Sequence, residues 1–237
     1  MSNDYFDFRQ FSIKQGNAAF KVGTDSVLLG ASADLSGAVS ILDIGTGTGL
    51  IALICAQRSG ASVTAIEPDR NSYLEAVGNI LSSKWADRIT VINSDLKEFT
   101  LMGGKMFDLI ITNPPYFRDS LLNPDEAKAA ARHTFSLSSL DLLKCSEDLM
   151  NDRGSLQLIL PYEEAVLFIA EAGNFGLYCN SIIKIKPYPD GKIIRMIMKL
   201  ERKKKAVHEK FLTIETGTRH RYTDEYRELT KDFYLNF

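Results

Sequence analysis

No stretch of about 18 consecutive apolar residues occurs in the chain, so a membrane-spanning helix is not expected. The start, MSNDYFDFRQFSIKQ, has no basic cluster leading into an apolar core, and a cytoplasmic protein is expected from it. Cysteine is scarce. Cys55, Cys145 and Cys179 are odd in number, widely spaced, set in apolar segments and free of any Cys-x-x-Cys pairing, which argues for small buried hydrophobes in a reducing compartment. The three histidines, His133, His208 and His220, lack metal-ligand spacing, so no metal is expected. A strong charge of either sign is also missing: the formal net charge is -2, and any attraction for nucleic acid has to be local. Nothing in the chain reads as a repeat, a low-complexity tract or a linker, and no obligate protein partner is evident. What remains is 237 residues, 45% apolar and 24% charged, enough for one substantial core.

Apolar runs alternate with helical patterns through most of the length. SILDIG, SVTAIEPD, ITVINSD, FDLIITN and GSLQLILP read as strands, with TGTGLIALICAQRS, NSYLEAVGNILSSKW and SSLDLLKCSEDLMND as helices between them. That alternation predicts an α/β fold, a parallel sheet with helices on both faces. Ahead of it, Thr24 or Asp25 is an expected N-cap for a short helix. Behind it, CNSIIKIKPYPDGKIIRMIMKLERKKK reads as an antiparallel hairpin turning at Pro189-Asp190-Gly191. In the final segment Thr223 is an expected cap, and Tyr222, Tyr226, Leu229 and Phe233 recur at helical spacing as a stripe that docks on the main body.

LDIGTGTGL puts Asp43 at the end of the first strand, followed by Gly45, Gly47 and Gly49. Glycines admit positive φ and let a ligand lie against the main chain, and the helix that follows offers free N–H groups to an anion such as a carboxylate. The phosphate-binding Gly-x-x-x-x-Gly-Lys-Ser/Thr pattern is absent. Counted from Gly45, the dinucleotide pattern would need a glycine where Leu50 stands; counted from Gly47 it meets Ala52, the permissive variant. Asp43 suits a ligand with an ammonium group better than a pyrophosphate. Asp-x-Gly-x-Gly-x-Gly after a first strand resembles the first motif of S-adenosylmethionine-dependent methyltransferases with a seven-stranded Rossmann-like sheet (class I). The resemblance implies roles for two further strand-end acids, Glu67 toward both ribose hydroxyls and Asp95 toward the adenine amino group. Either acid alone also reads as an exposed strand end or a helix cap.

Asn113-Pro114-Pro115-Tyr116 follows the fourth strand and shares the glycine loop's face. The Asn113 side-chain oxygen and the Pro114 carbonyl are two rigidly held acceptors, able to take both hydrogens of a planar amino or amide nitrogen and free its lone pair toward an electrophilic methyl. Tyr116 offers a stacking face, and Phe117 a second aromatic wall. The same tetrapeptide is the fourth motif of amino-group methyltransferases acting on adenine, guanine or protein glutamine.

FRQFSIKQGNAAFKVGTDSVLLGA, NPPYF, the ARH at 131–133 and YTDEYRELTKDFYLNF together resemble the bacterial tRNA(Val) adenine-N6 methyltransferase family over almost the whole chain. That resemblance implies one methyltransferase domain over 1–237: a cap region at 1–38, a Rossmann-like core at 39–205 closing in an antiparallel hairpin, and a tail at 206–237. It also implies S-adenosylmethionine as cofactor, S-adenosylhomocysteine as product, tRNA as substrate, and Lys21 and Thr24 as cofactor contacts. Arg132 and His133 carry no chemical role that the residues explain. Ten Lys or Arg between Lys184 and Lys210 make a local basic stripe that suits phosphates, with Lys203 and Lys204 as candidate substrate contacts, or else a solvated hairpin edge. Protein glutamine methylation is disfavoured because only 40 residues precede Ile41, too few for the helical domain such enzymes carry. Guanine-N2 methylation of ribosomal RNA stays open. A NAD-dependent oxidoreductase would share the loop but need a proton-transfer group that no histidine supplies.

Overall fold

The computed structural model describes residues 4–115 and 137–236. A short antiparallel pair, β1 (Tyr5–Asp7) and β2 (Ser12–Lys14), precedes helix α1 (Thr24–Ser32). The chain then alternates through β3 (Ser40–Ile44), α2 (Leu50–Arg58), β4 (Ser62–Ile66), α3 (Arg70–Leu81), β5 (Ile89–Ile92), α4 (Leu96–Met102) and β6 (Phe107–Thr112). It resumes with α5 (Ser139–Leu149), β7 (Met150–Pro161), α6 (Tyr162–Ala172), β8 (Tyr178–Lys186), β9 (Arg195–Glu201), β10 (His208–Thr213) and α7 (Asp224–Thr230).

The main sheet runs β10-β8-β9-β7-β6-β3-β4-β5. Its strands are parallel except β9, which is antiparallel to both β7 and β8. The near-continuous apolar character of β3, β4 and β6 follows from helices covering both faces. Ile41, Val63, Leu109 and Ile111 enter one buried cluster with Leu28, Leu53 and Ile54. Leu42, Ile44, Ile66 and Ile110 enter the other with Leu142, Leu143 and Phe168. The expected mostly parallel α/β sheet with helices on both faces and an antiparallel hairpin is thus observed. The hairpin turn closes where expected, Gly191 N donating to Tyr188 O at 2.9 Å.

Several local features differ from expectation, one of them helix α4, which stands between the ITVINSD and FDLIITN strands where no helical pattern was read. The sheet has eight strands rather than seven, because β10, from the 206–237 segment, adds in parallel to the outer edge of β8. Only Leu212 of that strand is buried, so HEKFLT carries almost no apolar alternation to read. Helix α6 was not anticipated either. It starts directly from β7 at Pro161, with no polar loop to mark the change from strand to helix. At α1 the N-cap is Gly23 without a side-chain bond; Thr24 is the first helical residue, and the Asp25 carboxylate pairs with Arg195 at 2.8 Å instead of capping. Thr223 does cap α7, accepting from Tyr226 N at 3.2 Å. Tyr226 and Phe233 are buried in the same cluster as Phe8 and Leu29, with Tyr222 and Leu229 packed against it.

Candidate active site

Parallel strands bring their carboxyl ends to one side of a sheet, where ligands of such folds bind. Asp43, the glycine loop, Glu67, Asp95 and Asn113 all lie at or just beyond the ends of β3, β4, β5 and β6 on that side. Gly45 N and Thr46 N both donate to Ile66 O, at 2.9 and 3.0 Å, and tie the loop to β4. Gly47 has φ 57 with open space where a Cβ would point, and its N–H donates to Glu67 Oε2 at 2.8 Å. Gly49, at φ 84, is the N-cap of α2, and a Cβ there would meet Ile80 and Ala76 at 3.4 and 3.5 Å. A larger residue at either position strains the left-handed backbone that turns the loop.

Asp43 is fully buried. Its Oδ2 accepts from Thr46 Oγ1 at 2.5 Å and from Ala52 N at 3.1 Å, so it folds the loop over itself and caps the first turn of α2, which Gly49 cannot do. Burial pushes its carboxyl up to about 7, with the nearby Glu67 charge adding to the effect. Its Oδ1 is buried with no hydrogen-bond partner among the described residues. Glu67, also buried, accepts from Gly47 N and, through Oε1, from Asp69 N at 2.9 Å; burial raises its carboxyl above the usual range. Asp95 caps α4, accepting from Glu98 N at 2.9 Å. Asn93, which the sequence did not single out, braces the rim by donating to Glu67 O and Pro68 O at 2.8 and 3.0 Å.

Asn113 is half-buried, and its Nδ2 donates to Ser26 Oγ of α1 at 2.9 Å. With the nitrogen so held, the side-chain oxygen is the end of the amide that can accept from an amine. Pro114 is buried and Pro115 exposed. Thr112 Oγ1 donates to Ile44 O at 2.9 Å, locking the end of β6 to the end of β3. Ser26 and Thr112 carried no motif signal, since a serine inside an apolar helix and a threonine ending a strand are ordinary. Tyr116, Phe117, Arg132 and His133 lie outside the described residues.

Lys21, on the segment leading into α1, and Thr24, the first residue of α1, are exposed. That segment is fastened to the start of α3, with Asn17 N donating to Glu75 Oε1 at 2.6 Å and Ala19 N to Ser72 Oγ at 3.2 Å. It therefore borders the rim that Glu67 and Asp69 build. Lys203 and Lys204 are not brought to this side. Because β9 is antiparallel, Arg195 pairs with Pro161 at the carboxyl end of β7, while Glu201 pairs with Ser155. The lysines that follow Glu201 thus sit at the amino end of the parallel strands, about 20 Å down the sheet. There Lys203 O accepts from Asn180 Nδ2 at 2.8 Å, Lys205 pairs with Glu201 at 2.7 Å, and Arg202 Nη2 donates to Met150 O at 3.1 Å. The Lys203 and Lys204 side chains themselves are exposed at that end, away from Asn113 and the glycine loop.

Among the described residues no group of three or more His, Cys, Asp or Glu is placed to hold a metal ion, and no helix is long and apolar enough to cross a membrane.

The chain matches the methyltransferase small domain family over residues 18–159. A tRNA1(Val) (adenine(37)-N6)-methyltransferase of Trichodesmium erythraeum is 43% identical over 240 residues, covering 100% of both chains. Among solved structures, a predicted O-methyltransferase from Agrobacterium tumefaciens superposes with a TM-score of 0.65 at 23% identity, over 88% of this chain and 96% of that one. TYW2 of P. horikoshii, in complex with MeSAdo, gives a TM-score of 0.58 at 16% identity over 86% of this chain and 74% of that one. The two structures support the fold alone.

Proposed function

Since the chain belongs to the tRNA1(Val) (adenine(37)-N6)-methyltransferase family, within the methyltransferase small domain family, we propose that it methylates the N6 amine of an anticodon-loop adenosine in a valine tRNA. S-adenosylmethionine is the methyl donor in this reading and supplies an electrophilic methyl on a sulfonium. Two features fit that group. The Asp43 Oδ1 without a partner suits a cationic ammonium, which would hold the carboxyl ionised, and the open space before Gly45 and Gly47 admits a ligand against the backbone. The first N–H groups of α2 would bind the ligand's carboxylate. Glu67 would accept from the ribose hydroxyls with the lone pairs its backbone partners leave, Asp95 would accept from the adenine amine, and Lys21 and Thr24 would cover the site.

The observation that carries the reading is the Ser26-held Asn113 at the carboxyl end of β6, beside the glycine loop. The Asn113 oxygen and the Pro114 carbonyl would each accept one hydrogen of the target amine. The nitrogen lone pair would then be turned toward the methyl for in-line attack, the N–C bond forming as the sulfonium's S–CH3 bond breaks to leave the neutral thioether, and the surplus proton of the amine passing to solvent. Tyr116 and Phe117 would stack the base. The chain would work as a single domain, with 206–237 docked on the core. Methyl transfer to tRNA by wild type and by Asn113→Ala tests this: transfer by the first and its loss in the second are expected, and equal rates would contradict it.

A further inference from the structure

The β8–β9 hairpin divides the basic stripe between the two ends of the sheet. Lys199 and the residues through Lys205 lie toward the amino end of the parallel strands, and Lys199 pairs there with Asp34 at 2.7 Å. Lys186 and Lys192 lie at the carboxyl end, on either side of the Tyr188–Gly191 turn. Beside them is a cavity of about 650 Å³ lined by Pro161, Tyr162, Lys186, Lys192 and Ile194. It adjoins the candidate active site. Thr112, next to Asn113, pairs with Leu158 of the neighbouring strand, which puts Pro161 within about 10 Å of Asn113.

We propose that this cleft is the docking site for the tRNA loop nucleotides flanking the target adenosine, with a base against Tyr162 and Ile194 and phosphates on Lys186 and Lys192. The inference rests on the tRNA methylation reading and deepens it by naming the RNA surface. Its floor is built rather than incidental: Tyr162 N donates to Ile194 O at 3.2 Å, and Ile194 N to Ile185 O at 2.9 Å, so strand end, helix start and hairpin are joined. Tyr162 and Ile194 are each 39% exposed, so an aromatic and a branched aliphatic face are open to solvent beside the two lysines. Splayed single-stranded nucleotides take that pairing of flat apolar faces with positive charge, and the cavity is large enough for them. Glu163 and Glu164 also line the cleft, in the first turn of α6 where they complement the helix N-terminus. Carboxylates there disfavour a dense phosphate cluster and suit the amino edges of bases.

The test compares Lys186→Glu/Lys192→Glu with Lys203→Glu/Lys204→Glu, and adds Tyr162→Ala. Each variant is first checked for unchanged cofactor affinity and melting temperature, so that a folding defect is recognised. Charge reversal at 186 and 192 is expected to raise the KM for tRNA at least about 10-fold with kcat at saturating tRNA nearly unchanged. The slope of log Kd against log salt should flatten by about 1–2. Tyr162→Ala should raise KM about 5- to 100-fold. The 203/204 variant should change KM less than about 3-fold. An unchanged KM and salt slope at 186/192, or a loss carried by 203/204 instead, overturns the proposal. Direct tRNA binding, measured alongside, separates the two readings: if no tRNA is methylated but the 186/192 variant still loses tRNA affinity, the methylation reading fails and the docking surface stands.

Discussion

Removing the Asn113 amide should cost turnover and leave affinity alone, because in the proposed clamp its oxygen would matter most once the amine nitrogen begins to donate. Asn113→Ala is expected to lower kcat by about 100-fold or more, as loss of a single well-placed polar group does elsewhere, with cofactor affinity by calorimetry unchanged. Ser26 is a positioning residue in the same account. Ser26→Ala frees the Asn113 nitrogen and should lower kcat about 3- to 10-fold, the worth of one neutral hydrogen bond, without moving KM; Ser26→Thr should restore most of the loss. Asp43 offers a pH signature. Its carboxyl ionises near its ordinary 3.8 in the unfolded chain and near 7 in the fold, so its contribution to stability is complete below about 4 and is lost as pH rises through about 7. Asp43→Asn, which mimics the protonated acid, lacks that loss. The melting temperature of Asp43→Asn minus that of wild type, both ligand-free, should therefore climb between pH 4 and 7. A pH-independent difference would show that Asp43 is already ionised in the fold. At this scale the sequence revealed residues whose type is unusual for their place, such as Asn113 between a core strand and two prolines. It hid Ser26 and Thr46, whose roles come from what the fold sets opposite them.

Helix α1 is the element on which the site leans. Its first turn joins β9 through Asp25–Arg195 and β6 through Ser26–Asn113, and its body packs on α2 closely enough that a Cβ at Gly30 would come within 2.9 Å of Ile54 Cγ2. Gly30→Val is expected to destabilise the protein by about 1–3 kcal/mol in denaturant unfolding, through overpacking. Any shift of α1 should also reach Asn113, so kcat should fall with it. Elements with strong periodicity were legible: β3, β4, β6, α2, α3 and α5 follow from apolar runs and helical spacing. Those missed had a physical reason to be quiet. β10 buries one side chain, and α6 inherits its start from a strand without a break.

At the scale of the molecule, direction decides function. A basic stripe read as one feature is two, because an antiparallel strand carries half of it away from the reacting end. The sequence could list those lysines but could not orient them, since strand polarity is set by pairing. The carboxyl-end gathering of Asp43, Glu67, Asp95 and Asn113 was legible, because parallel α/β topology by itself places successive strand ends on one side. The most direct test of the whole account is nucleoside mass spectrometry of valine tRNA, made without modifications and incubated with the purified protein and S-adenosylmethionine. The account predicts N6-methyladenosine in the anticodon-loop fragment and none with Asn113→Ala. Methylated guanosine, or label recovered in protein instead of RNA, would contradict it.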